Sequence, residues 1–130
     1  MATILVVEND PLQAFARVSS LQKRFQNVQR VADAAEALCL IEQPNFAINL
    51  GLVICCLHMP GVGGPAFVAE LHDRLPAVPV LVLGSLSEPS ADYATRNVRF
   101  LSGPSTSEQV LSAASQMLGQ SHHKTSLTPA

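Results

Sequence analysis

Charged side chains are scarce in this chain. Asp, Glu, Lys and Arg together make up 14% of its 130 residues, against about a quarter in an average soluble domain. The eight Lys and Arg residues are spread out without forming a basic run, and the formal net charge is -2. This pattern excludes the positively charged surface with which a domain grips nucleic acid. We therefore expect no direct nucleic-acid binding by this domain.

Long apolar runs and a secretion-type N-terminus are also missing. No apolar stretch approaches the roughly 20 residues that span a bilayer, and no basic segment leads into an apolar one near Met1. The three cysteines, Cys39, Cys55 and Cys56, are odd in number and lack the spacing of zinc ligands. Because neighbouring strand residues point to opposite faces, a disulfide between Cys55 and Cys56 is sterically poor. We expect a cytoplasmic protein with free thiols, no metal or other cofactor and no membrane contact.

Apolar residues, in contrast, are abundant at 48% of the chain, and they fall into runs that alternate with helical periodicities. This pattern is typical of a parallel sheet buried on both faces by helices. It predicts one α/β domain, a doubly wound five-stranded parallel sheet. The predicted strands are Thr3 to Val7, Val28 to Ala32, Leu52 to Cys56, Val78 to Leu83 and Val98 to Leu101.

The first helix is predicted to begin at Asp10 and Pro11, an N-cap followed by proline at the first helical position. Gln13 is placed to complete a capping box. The helix would bury an apolar face, and the residues expected on it are Leu12, Phe15, Val18, Leu21 and Phe25.

Three further helices are predicted to begin at Asp33 with Glu36, at Pro65, and at Ser105 with Glu108. The last is expected to end at Gly119 as a C-cap. The domain would then cover residues 1–119, followed by a polar linker over 120–130. Residues 45–50 predict either a wide loop or a longer third strand, and 87–97 must hold any helix between the last two strands.

The third strand carries a resemblance to a known family. Its end, Leu52-Val53-Ile54-Cys55-Cys56, is followed by Leu57-His58-Met59-Pro60-Gly61. This resembles the receiver domain of two-component response regulators, whose third strand ends in a phospho-accepting Asp, followed shortly by Met-Pro-Gly. The resemblance runs from Thr3 to about Leu118. It implies a flavodoxin-like (CheY-like) fold with strand order 2-1-3-4-5.

The resemblance also implies where the phosphorylation site would lie. Receiver domains use an acidic pair to hold Mg²⁺, the acceptor Asp, a hydroxyl residue and a Lys, all at the carboxyl ends of strands. In this chain Glu8 and Asn9 stand at the acidic pair, Cys56 at the acceptor, Gly84 at the hydroxyl residue and Gly103 at the Lys. Glu8, Asn9 and Cys56 would thus be a degenerate Mg²⁺ site.

Residues that shape the loops of the family are kept, and these are Met59, Pro60, Gly61, Gly64, Phe100 and Pro104. Asp10 could replace the missing carboxylate, but its place before Pro11 favours a helix cap. Glu8 would disfavour a thiolate at Cys56, and no Lys or Arg is placed to favour one. We therefore interpret the chain as a pseudo-receiver without catalytic residues or enzymatic activity.

The resemblance implies a regulatory or dimerisation domain of bacterial signal transduction that works without phosphorylation. Its partner surface would be the fifth strand, the last helix and the helix expected at 87–97, binding another protein or a second copy. Alternatives are a receiver switched by a small ligand, one switched by Cys56 thiol chemistry, or unrelated cofactor binding on the same fold. Leu127-Thr128-Pro129 resembles the opening of the helix-turn-helix domain of LuxR-type regulators, which favours transcription control, although a frayed terminus is the alternative.

Overall fold

The computed structural model describes residues 2–56, 61, 63–84, 97–101 and 105–127, and for residues 120–127 the backbone alone. These residues form a five-stranded parallel sheet with strand order β2-β1-β3-β4-β5, which confirms the predicted fold class and order. The strands are β1 (Thr3–Val7), β2 (Val28–Val31), β3 (Leu50–Cys56), β4 (Val80–Leu83) and β5 (Val98–Leu101). The helices are α1 (Pro11–Leu21), α2 (Ala34–Ile41), α3 (Pro44–Ala47), α4 (Gly64–Arg74) and α5 (Ser107–Leu127).

The central strands are buried on both faces, because each face is covered by two of the longer helices. One face, with Leu5 and Val53, packs against buried residues of α2 and α4 such as Ala37 and Phe67. The other face is covered by α1 and α5, and its buried residues include Ile4, Val6, Leu52, Ile54, Leu21, Val110 and Met117. Continuous runs of branched apolar residues suit this two-sided burial, which explains why the strands were predictable.

The segment before β3 combines a short helix with a longer strand. Pro44 begins the one-turn helix α3, which neither alternative foresaw. The strand is longer by two residues, because β3 begins at Leu50 rather than at Leu52. The pairing with β1 shifts register between Thr3 and Ile4, which pair with Leu50 and Leu52. Gly51 is the extra residue of this bulge, and a Cβ there would collide with the side chain of Ala2.

The helix starts follow the capping prediction at two of the four expected places. Asp10 Oδ1 accepts from the backbone N–H of Leu12, and Asp33 Oδ1 accepts from that of Glu36. Gln13 does not complete the first capping box; the Asp10 N–H donates to Glu8 Oε2 instead.

The start of α4 lies one residue before the predicted Pro65, at Gly64. The last helix is capped by Thr106 and Gln109 rather than by Ser105 and Glu108. The Thr106 hydroxyl accepts from Gln109 N–H while Gln109 Oε1 accepts from Thr106 N–H, a reciprocal capping box.

The expected buried face of α1 was wrong in part, and the expected end of the last helix was wrong. Leu21 is buried and Val18 and Phe25 are partly buried, as predicted, but Leu12 and Phe15 are 81% and 74% exposed. Ala14 is buried in their place. The last helix passes Gly119 and reaches Leu127. Among the described glycines only Gly61 has a positive φ, so Gly119 lacks the left-handed conformation of a C-cap and lies inside the helix. Within the described ranges, no helix is long and apolar enough to cross a bilayer.

Candidate functional site

The predicted site residues meet at the carboxyl edge of the sheet. Glu8 follows β1, Cys56 ends β3 and Gly84 follows β4. Parallel strands place their carboxyl ends side by side, which is why open α/β sheets hold their sites at this edge. The structure brings Glu8 and Cys56 into direct contact, since the Cys56 thiol donates to Glu8 Oε1 over 3.2 Å.

Glu8 is a buried carboxylate, only 8% exposed, and both of its oxygens accept hydrogen bonds within the chain. Oε2 accepts from the Asp10 N–H, while Oε1 accepts from the Cys56 thiol and from the guanidinium of Arg17. Arg30 on β2 binds the backbone at the same point, donating through Nε and Nη2 to the Glu8 carbonyl at 3.0 and 2.8 Å. Two guanidinium groups therefore surround this residue.

Arg17 is, with Arg30, a functional-site residue that sequence reasoning missed. It reaches from α1 to the carboxyl edge, forms an ion pair with Glu8 and places Nη1 4.0 Å from Cys56 Sγ. The expectation that no cation lies near Cys56 was therefore wrong. One signal existed: a carboxylate at the end of a buried strand requires a counter-ion, and Arg17 is the one charged residue in the α1 sequence.

The Cys56 thiol is half-buried and holds its proton. Burial raises its pKa to about 12, and the charge and hydrogen bond of Glu8 act in the same direction, partly offset by Arg17. The expectation that Glu8 opposes a thiolate is thus confirmed. Burial likewise raises the pKa of the Cys55 thiol well above its usual range. All three cysteines are free, as predicted.

The Mg²⁺ ion implied by the resemblance does not fit this donor set. Mg²⁺ requires several oxygen ligands in octahedral geometry. Here the carboxylate of Glu8 is engaged by Arg17, and Cys56 offers a protonated sulfur. The Asn9 carbonyl accepts from Arg30, and the Asp10 carboxylate caps α1, as its place before Pro11 predicted.

The hydroxyl position is filled by a neighbouring ring. A Cβ built on Gly84 would lie 2.6 Å from Cε1 of Phe100, closer than non-bonded atoms can approach. The ring of Phe100 thus occupies the space that a side chain at position 84 would take. Only glycine fits beneath it, so no hydroxyl can stand at this position while the ring lies there.

Other predicted positions have different outcomes. Gly61 has φ 82, which favours glycine at this loop position. Gly64 is buried at the start of α4. Positions outside the described residues are Met59, Pro60, Gly103 and Pro104, together with residues 87–96 of the helix expected at 87–97.

Known proteins resemble this chain along most of its length. The family model of the response regulator receiver domain matches residues 4–115. The sensor kinase CckA of Brucella abortus (strain 2308) is 27% identical over 123 residues, which cover 90% of this chain and 12% of the kinase. The chain therefore spans only a small part of that relative.

Solved structures share the fold. The receiver domain of a Francisella response regulator has a TM-score of 0.80 at 17% identity, covering 93% of this chain and 99% of that one. The receiver domain of a histidine kinase from Syntrophus aciditrophicus has a TM-score of 0.76 at 24% identity, covering 92% of each chain. With the family model matching residues 4–115, this chain belongs to the response regulator receiver domains of two-component signalling.

Proposed function

We propose that this receiver domain works without phosphorylation, as a regulatory protein-binding module with no enzymatic activity of its own. The observation that carries the proposal is the protonated thiol of Cys56 at the acceptor position, with its pKa raised to about 12. A thiol becomes a nucleophile as its thiolate, and this thiol donates its proton to Glu8 instead. The acceptor position therefore lacks a group that attacks a phosphoryl donor at neutral pH.

The groups that would stabilise phosphoryl transfer are replaced as well. Transfer depends on oxygen-bound Mg²⁺ and on fixed charges around the transferred group. Arg17 engages Glu8, and the Phe100 ring covers Gly84. Gly103, which stands at the Lys position, has no side chain to offer a charge.

The phosphorylation test uses acetyl phosphate or beryllofluoride, each with Mg²⁺, and follows backbone amide signals by NMR. We expect the signals of Glu8 and Cys56 to stay in place. Cys56→Asp is the matched variant, and we expect it to take up no stoichiometric phosphate because the other groups remain absent. Shifts in the wild-type protein, or stoichiometric phosphate in the variant, would contradict the proposal.

We further propose that the partner surface includes β5 and α5 and that it joins two copies of the chain. Arg99 on β5 and Gln116 on α5 are exposed and hydrogen-bonded to each other at 2.6 Å, forming a polar rim for such a contact. Sedimentation should give twice the 13.8 kDa chain mass, and Arg99→Glu should return the single mass. Lys23→Glu, an equal charge change on an exposed residue after α1, is the control.

Transcription control is the proposed output, supported by the resemblance of Leu127-Thr128-Pro129 to the opening of a LuxR-type DNA-binding domain. Within residues 1–130 the charge is too low for DNA binding. Band-shift assays should therefore show no binding by residues 1–130 and phosphodonor-independent binding by the whole gene product. Donor-dependent binding, or binding by residues 1–130 alone, counts against this output. A ligand-dependent rise in melting temperature would instead favour a receiver switched by a small molecule.

A further inference from the structure

We propose that Arg17 is a built-in cation that takes the place of a divalent ion at the carboxyl edge of the sheet. In this view the site excludes Mg²⁺ because a guanidinium already occupies it, whatever residue stands at position 56. The inference deepens the proposed function and rests on it, since it explains how the domain keeps one state irrespective of Mg²⁺.

The first argument is that both carboxylate oxygens of Glu8 already accept hydrogen bonds within the chain. The guanidinium of Arg17 and the thiol of Cys56 both donate to Oε1, and a carboxylate oxygen has two lone pairs. Oε2 accepts from the Asp10 N–H at 3.1 Å. A metal ion that binds both carboxylate oxygens must therefore displace a donor from Oε1, and of the two donors there Arg17 is the one that carries a charge.

The second argument is that Arg17 is fixed by the fold. Its neighbours on the same stripe of α1, Ala14 and Leu21, are buried against the sheet. Its own side chain is 13% exposed and that of Glu8 is 9% exposed. Displacing the guanidinium would leave a buried charge without a partner, which is strongly unfavourable.

The third argument is charge. Glu8 and Arg17 neutralise each other, so the pocket presents no net negative charge to attract a cation. Arg30 adds a second guanidinium on the carbonyls of Glu8 and Asn9. A divalent ion would enter beside two positive groups at short distance, where like charges repel most strongly.

The experiment measures Mn²⁺ binding, by the loss of the free-ion EPR signal, in four proteins. They are the wild type, Cys56→Asp, Cys56→Asp with Arg17→Met, and Cys56→Asp with Arg24→Met. Methionine keeps an unbranched apolar stem in place of the arginine. Arg24 lies beyond α1 and bonds Ser115 at the surface, so its variant removes the same charge away from the site.

We expect at most millimolar Mn²⁺ affinity in the wild type and in Cys56→Asp, and at least tenfold tighter binding once Arg17 is also removed. Arg24→Met should leave the affinity of Cys56→Asp unchanged. Equal affinity with and without Arg17, or an equal gain from Arg24→Met, would overturn the inference. If the Arg17 variant fails to fold, the Mn²⁺ affinity of Cys56→Asp alone decides. Submillimolar binding with Arg17 present would refute the proposal that Arg17 occupies the cation position, and weaker binding would support it.

The proposed function is read separately on the same samples by phosphate incorporation. Tight Mn²⁺ binding by Cys56→Asp without phosphate uptake would remove the inference and leave the proposed function standing. Phosphate uptake by the wild type would overturn the proposed function itself.

Discussion

At the residue scale, the thiols of this domain differ sharply in environment. Cys39 is exposed, Cys55 is buried and Cys56 is half-buried beside Glu8. Thiol reactivity depends on the thiolate and on access. The raised pKa of Cys56, about 12, therefore argues against a thiol-based switch at neutral pH.

The different environments of the three thiols predict a ranking of their modification rates. At pH 8 we expect Cys39 to react with an aromatic disulfide reagent at least ~100-fold faster than Cys56, because Cys56 has almost no thiolate at that pH. The Cys39→Ser variant should be nearly unreactive when folded and should show two fast thiols in urea. A fast thiol in folded Cys39→Ser that is lost on adding Cys56→Ser would show that Cys56 is activated.

At the element scale, β4 and β5 are linked by the contact between Gly84 and the ring of Phe100. Gly84→Ala forces the ring to move, since the new Cβ would lie 2.6 Å from Cε1. We expect a loss of about 1–3 kcal/mol in the free energy of unfolding, measured in urea.

The same substitution should cost much less in a Phe100→Leu background, because the smaller side chain leaves room. Gly63→Ala is a suitable control, as its Cβ would meet Pro65 at an ordinary 3.9 Å. Equal costs of Gly84→Ala in both backgrounds would show that the ring is not the cause.

The continuation of α5 past Gly119 gives a second prediction at this scale. A Cβ at Gly119 meets nothing within 4 Å, and alanine is favoured over glycine inside a helix by about 1 kcal/mol. Gly119→Ala should therefore stabilise the domain by up to about 1 kcal/mol. Destabilisation would instead indicate a helix that ends at this glycine in the left-handed conformation, as the sequence first suggested.

At the scale of the whole molecule, the free energy of unfolding should fall as the pH rises through the alkaline range. The Cys56 thiol has a pKa of about 12 when folded and a reference value of 9.0. Above pH 9 the unfolded chain releases a proton that the folded chain keeps, so unfolding is favoured increasingly as pH rises. The stability contributed by the raised pKa of the Cys56 thiol is fully present below pH 9 and is lost between pH 9 and 12.

The measurement is urea unfolding of the wild type and of Cys56→Ala across this range. The stability of the wild type should fall more steeply than that of the variant between pH 9 and 12. Parallel curves would mean that Cys56 titrates normally in the folded state.

Most of the fold could be predicted from the sequence because buried parallel strands are continuous apolar runs. Arg17 could be named as a counter-ion because it is the one charged residue of α1, but its contacts with Glu8 and Cys56 could not be predicted, since they depend on how α1 crosses the sheet. Helical periodicity placed Leu12 and Phe15 on the same face as Leu21, without revealing that Leu21 is buried while the other two are exposed. Glu8 and Cys56 were located because strand ends define the site, whereas their shared hydrogen bond required the three-dimensional structure.

The ring over Gly84 also constrains the order in which positions 84 and 100 can be substituted. A side chain at position 84 fits without displacing the ring only when position 100 carries a smaller residue, since the two volumes overlap. The effects of the two substitutions are therefore coupled, and their order matters. A direct substitution at position 84 meets a steric barrier, while one made after a smaller residue stands at position 100 avoids it. The residue at position 100 therefore decides which residues position 84 can accept.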